Sequence, residues 1–224
     1  MSSTNRSDAR KEHIADYYCT PISDIELFLN EFKKIDGVQE SFQNGIIVDC
    51  CAGGNSEIKD ENGVKEVYHP MSYPVALNNV FGDKLDIRTY DIRRDSFAEN
   101  KINYLDIKLD YQPNIIITNP PFKFASDIIK KSLDDVVDGG YVIMLLRLNY
   151  FGSKDRKPFF DEFMPEYVFV HHQRIGFTEK KNDNGYVLFN KDGKPKNGST
   201  DSIEYMHAVW RKGYKPEYTK LFVV

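Results

Sequence analysis

The chain has 224 residues, 41% hydrophobic and 13% aromatic, which is enough for one substantial core and too little for two ordinary domains. Its 30 Lys and Arg against 34 Asp and Glu leave a formal net charge of -4, so the surface as a whole does not attract a phosphate backbone. No run approaches the roughly 18 apolar residues of a membrane helix, and Met1 to Lys11 lacks the apolar core of a signal peptide.

A single domain over residues 1-224 is therefore expected, cytoplasmic, without a membrane partner, and monomeric or weakly dimeric. The cysteines Cys19, Cys50 and Cys51 have neither zinc-ligand spacing nor the pattern of a disulfide framework, in keeping with a reducing compartment. His171 and His172 are adjacent and would point to opposite faces of a strand, so no metal is expected.

In chain order, Ser23 to Lys34 places Ile25, Leu27, Phe28, Leu29 and Phe32 at near-helical spacing, which predicts a helix with Ser23 or Asp24 near its start. The runs Ile46-Ile47-Val48-Asp49, Asp86 to Asp91 and Asn114 to Asn119 then predict strands that end on polar residues. The first and third are continuously apolar, as in central strands of a parallel sheet covered on both faces. Between Ser56 and Asp86 the pattern is weak, with Pro74 to Phe81 as the one crossover helix it offers. A helix over Asp127 to Val137 stops at Gly139-Gly140, and strands follow at Tyr141 to Leu148, Tyr167 to His171 and Glu204 to Trp210. Strands alternating with helices predict a doubly wound α/β sheet, which binds ligands beyond the carboxyl ends of its strands.

Asn119-Pro120-Pro121-Phe122 follows such a strand directly. The lone pair of an adenine N6 amine is delocalised into the ring, and two acceptors aimed at its protons would localise it. The Asn119 side-chain oxygen and the Pro120 carbonyl are suitable acceptors, held rigidly because proline fixes its own φ and restricts the residue before it. Phe122 offers a face for stacking, and a base in a duplex would have to be flipped out to reach it.

The motif resembles that of the N6-adenine amino-methyltransferases, whose hallmark is Asn/Asp-Pro-Pro-aromatic at the end of the fourth strand of a seven-stranded sheet. The resemblance runs from Asp16 to Trp210. It implies a Rossmann-like class I methyltransferase fold with a mostly parallel seven-stranded sheet and an antiparallel last strand, using S-adenosyl-L-methionine as cofactor. Asp49-Cys50-Cys51-Ala52-Gly53-Gly54-Asn55 is similar to the family's cofactor loop, which would make Asp49, Cys51, Ala52, Gly53 and Asn55 cofactor residues, although Asn55 stands where glycine is common. Asp91 matches the acid that binds the ribose hydroxyls. Asn103-Tyr104-Leu105-Asp106 is similar to the segment beside the cofactor adenine, with Asn103 in the acidic place and Asn103, Tyr104 and Asp106 all open as contacts. Tyr18-Cys19-Thr20-Pro21 resembles the element that closes over the cofactor, bringing in Tyr18, Thr20 and Pro21.

Towards the C-terminus, Arg174-Ile175-Gly176-Phe177 and a last strand ending in Trp210 resemble small bacterial and phage-type DNA adenine methyltransferases. Phe177 is then either a wall of the target-base pocket or a core aromatic. Residues 174-203 read as a nucleic-acid-contacting loop, with Arg174, Phe177, Lys180 and Lys181 as substrate residues, or as a solvated charged loop. The resemblance implies methylation of adenine N6 in DNA, with RNA as the alternative substrate. A catalytically idle nucleic-acid-binding or partner module of the same fold is the rival of another class. Protein glutamine methylation would favour Tyr in place of Phe122, and cytosine N4 methylation a Ser or Asp in place of Asn119.

Overall fold

The computed structural model describes residues 19–56, 68–177, 191 and 203–224. Helix α1 (Ile22–Phe32) is followed by α2 (Val38–Gln43) and strand β1 (Ile46–Asp49). A two-stranded hairpin, β2 (Asn55–Ser56) with β3 (Tyr68–His69), stands apart from the main sheet. Then come α3 (Ser72–Phe81), β4 (Asp86–Thr89), β5 (Ile115–Thr118), α4 (Ala125–Asp135) and β6 (Tyr141–Arg147). The chain closes with α5 (Lys157–Glu162), β7 (Tyr167–Val170), β8 (Tyr205–Arg211) and β9 (Lys220–Val223). The crossover helix expected from Pro74 starts two residues earlier, because a proline in the first turn gives up an amide that has no partner there anyway.

The main sheet has seven strands in the order β4-β1-β5-β6-β8-β7-β9. β8 runs antiparallel to both of its neighbours, β6 and β7, and all other pairings are parallel. The antiparallel strand is thus the one that ends near Trp210, and β9 adds a further parallel edge strand beside β7. The sheet reaches seven strands without a full strand after β4, where only an isolated bridge joins Tyr90 to Asn100.

Side-chain alternation distributes the core over two faces. Ile47, Ile115, Ile117 and Ile143 pack with Ile25, Phe28, Phe32 and Leu77 of α1 and α3. Val48, Ile116, Val142 and Met144 pack with Ile128 and Ile129 of α4, together with Phe159 and Trp210. Trp210 is accordingly a core residue, its indole N–H donating to the Phe163 carbonyl at 2.9 Å. Burial on both sides explains why β1, β5 and β6 read as unbroken apolar runs.

After β1 the chain places β4 on one side and β5 on the other, so the order of connection reverses between β1 and β5. A crevice opens at such a point beyond the carboxyl ends of the strands. Asp49 ends β1, and Asn119 directly follows β5.

Candidate active site

A cavity of about 510 Å3 occupies this crevice, in the range of roughly 300–1,000 Å3 usual for small-molecule sites. Four separate segments meet in its wall: Thr20 before α1, Cys51 and Ala52 after β1, Asp91 after β4, and Asn119 and Pro121 after β5. Asn103 and Tyr104 complete the set of predicted residues that it gathers, while Asp106 stays outside.

The loop after β1 is held by its neighbours. Ala52 donates its amide to the Tyr90 carbonyl at 2.9 Å, and Gly53 donates to Asp91 Oδ2 at 2.8 Å. Asp91 Oδ1 accepts the Arg93 amide at 2.7 Å. Each carboxylate oxygen has a further lone pair, so Asp91 remains able to accept hydroxyl groups while its orientation is fixed by two amides. Gly54 has φ +78°, and a Cβ there would lie 2.8 Å from the Phe97 ring, so both backbone conformation and space require glycine.

Asn103 caps the 3-10 turn Tyr104–Asp106, accepting the Leu105 amide at 3.2 Å and donating to Asp106 at 2.8 Å. This local role accounts for an amide in the place where the family resemblance led one to expect an acid. The Tyr104 hydroxyl donates to Asp135 at 2.6 Å, which anchors the ring against α4.

Asn119 makes the most informative contact. Its Nδ2 donates to Thr20 Oγ1 at 3.0 Å, a bond between residues 99 positions apart. With the amide nitrogen tethered, Oδ1 is left as an acceptor, and neither Oδ1 nor the Pro120 carbonyl accepts a hydrogen bond from a described residue. Pro121 behaves differently: its carbonyl takes the Phe124 amide at 2.9 Å and closes the turn into α4.

Several predicted residues do not line the cavity. Asp49 is fully buried behind it, accepting the Cys51 amide at 3.2 Å. Burial pushes its carboxyl up to about 7, the Asp91 charge adds to that, and Thr118 and the Cys51 amide oppose it. Gly53 acts through its amide on Asp91, Pro21 stands immediately before α1, Asn55 pairs with His69 in the hairpin, and Pro120 is buried. Phe122 points away from the cavity, because it follows the Pro-Pro turn onto the β6 and β8 side. There it lies 6.2 Å from the Tyr205 ring, which Phe177 meets edge-on at 4.8 Å. Arg174 is half-exposed and pairs with Glu204 at 3.4 Å. Tyr18, Lys180, Lys181 and most of the 174-203 loop lie outside the described residues.

The cavity also recruits residues that sequence reasoning missed, among them Ile92, Leu105, Lys123, Phe124 and Tyr73. Ile92 and Phe124 carried a usable signal, since each stands one or two residues beyond a motif already singled out.

No family model matches the sequence, and no curated protein matches it. Among solved structures the chain is similar to a Listeria monocytogenes protein assigned as a class I S-adenosylmethionine-dependent methyltransferase. The identity is 13%, the TM-score 0.54, and the match covers 96% of this chain and 68% of the other. The fold is that of the class I methyltransferases. A second likeness, to the type IIG restriction endonuclease BpuSI, has 13% identity and a TM-score of 0.54, and covers 94% of this chain and 27% of that enzyme.

Proposed function

We propose that the chain is an S-adenosylmethionine-dependent methyltransferase acting on the exocyclic N6 amine of adenine in nucleic acid, with DNA as the polymer. The observation that carries this reading is the tethered Asn119, which lines the cavity with its amide nitrogen engaged by Thr20 and its oxygen accepting no hydrogen bond from a described residue.

The cavity residues suit the cofactor. Small residues at Cys51 and Ala52 allow close approach of its amino-acid portion, and Asp91 retains lone pairs for ribose hydroxyls. Ile92, Leu105 and Phe124 provide apolar surface for an adenine ring. When bound, the cofactor supplies an electrophilic sulfonium methyl group.

The chain's own contribution is geometric. Asn119 Oδ1 and the Pro120 carbonyl accept the two amine protons, which localises the nitrogen lone pair and aims it at the cavity. No side chain has to remove a proton beforehand, because the amine becomes acidic only as it is alkylated.

The C-terminal resemblance and the likeness to a restriction endonuclease support DNA. Asn119→Ala is expected to lower turnover by at least about 100-fold, the scale of deleting one preorganised polar group, with cofactor binding retained. Turnover near that of the unaltered protein would sink the proposal.

A further inference from the structure

The cavity lies on one side of the Asn-Pro-Pro-Phe turn, and an unusual cation lies on the other. Arg147 is the last residue of β6 and stands opposite Tyr205 of β8 in register. Its guanidinium carbon is 4.5 Å from the centre of the Phe122 ring. Its Nε is buried and has no hydrogen-bond partner. Among the described residues no carboxylate forms an ion pair with it, and Glu204, next to Tyr205, is taken by Arg174. A guanidinium with no compensating anion among the described residues, held beside a reactive motif, is placed to meet an anion that arrives with a ligand.

We propose that Arg147 binds the phosphodiester flanking the target adenine, an inference that rests on the nucleic-acid reading above. Base acceptors are neutral, and phosphate is the anion a polynucleotide carries, so it is the group that compensates an unpaired guanidinium. With its guanidinium carbon over the Phe122 ring, Arg147 keeps its terminal N–H groups, which have no partner among the described residues, as the donors for phosphate oxygens. Phe122 thereby acts as the seat of the arginine.

The test uses the full chain and fluorescently labelled, adenine-containing oligonucleotides, with anisotropy measured across a salt series. Arg147→Ala and Arg147→Gln are expected to weaken oligonucleotide binding about 10- to 100-fold, as for loss of a charge-assisted hydrogen-bond pair. Their slope of log affinity against log salt should fall by about one phosphate contact. Cofactor affinity and melting temperature should stay at the level of the unaltered protein. Arg147→Lys should restore the salt slope and only part of the affinity, because an ammonium lacks the fork. Affinity lost with an unchanged salt slope would overturn the phosphate assignment. Unchanged affinity and slope in both variants, with methylation of DNA by the unaltered protein intact, would overturn the role of Arg147 alone. Failure of the unaltered protein to bind either DNA or RNA would overturn the nucleic-acid reading itself.

Discussion

Replacing Thr20 by Val keeps a branched side chain of nearly the same size and removes the hydroxyl that accepts the 3.0 Å hydrogen bond from Asn119 Nδ2. Thr20 is 3% exposed, so water has little room to replace the lost acceptor. A hydrogen bond of this kind, with the donor left unpaired, is worth about 1–2 kcal/mol. If that energy holds Asn119 in its reactive orientation, its loss lowers the rate constant about 5- to 30-fold, at about 1.4 kcal/mol per tenfold. The assay is steady-state methyl transfer at saturating cofactor, paired with calorimetric titration of the cofactor. The drop is expected in kcat, with cofactor affinity close to that of the unaltered protein, and Thr20→Ser should recover the rate because it restores the acceptor. A Thr20→Val protein with undiminished kcat, or one whose defect lies wholly in cofactor affinity, would refute the positioning role.

Asp49 supplies a pH-dependent test. Its folded value, about 7, lies above the ordinary 3.8, so folding favours the neutral carboxyl; that stabilisation is full below about pH 4 and is lost as pH rises through 7. Asp49→Asn is neutral at every pH, so its advantage in ligand-free melting should grow between pH 5 and pH 8 by about 3 kcal/mol, or roughly 5–10 °C. A pH-independent gap would show that burial does not perturb this group. Gly54→Ala forces a side chain into a left-handed conformation 2.8 Å from Phe97, and it should lower both melting temperature and cofactor affinity. An alanine variant that binds cofactor as tightly as the unaltered protein would remove the close-approach argument for the loop.

The parts of the fold that the sequence made legible are those in which burial is total. Ile115 to Ile117 and Tyr141 to Leu146 are apolar at consecutive positions because both faces of their strands are covered, and α1 shows its stripe because one face alone is buried. β9 was not legible: its residues are exposed throughout, so no pattern marks Lys220 to Val223 as an edge strand. The hairpin of β2 and β3 has two residues per strand, too few to establish a period.

The site divides in the same way. Asn119 and Asp91 stood out because chemistry and a strand end coincide at each of them. The bond from Asn119 to Thr20 could not be read, since it joins segments that the topology alone brings together. Nor could the direction of Phe122, because the Pro-Pro turn decides which side of the motif the ring faces, and that side proved to be the one occupied by Arg147.

The most direct measurement incubates the purified protein with tritiated S-adenosylmethionine and, in separate reactions, unmethylated genomic DNA and total RNA, then digests the polymers to nucleosides. Label in N6-methyldeoxyadenosine, abolished by Asn119→Ala, is the expected result. Label confined to RNA adenine would keep the chemistry and change the polymer, whereas label in another nucleoside, or in neither polymer, would contradict the assignment of Asn119 to adenine N6.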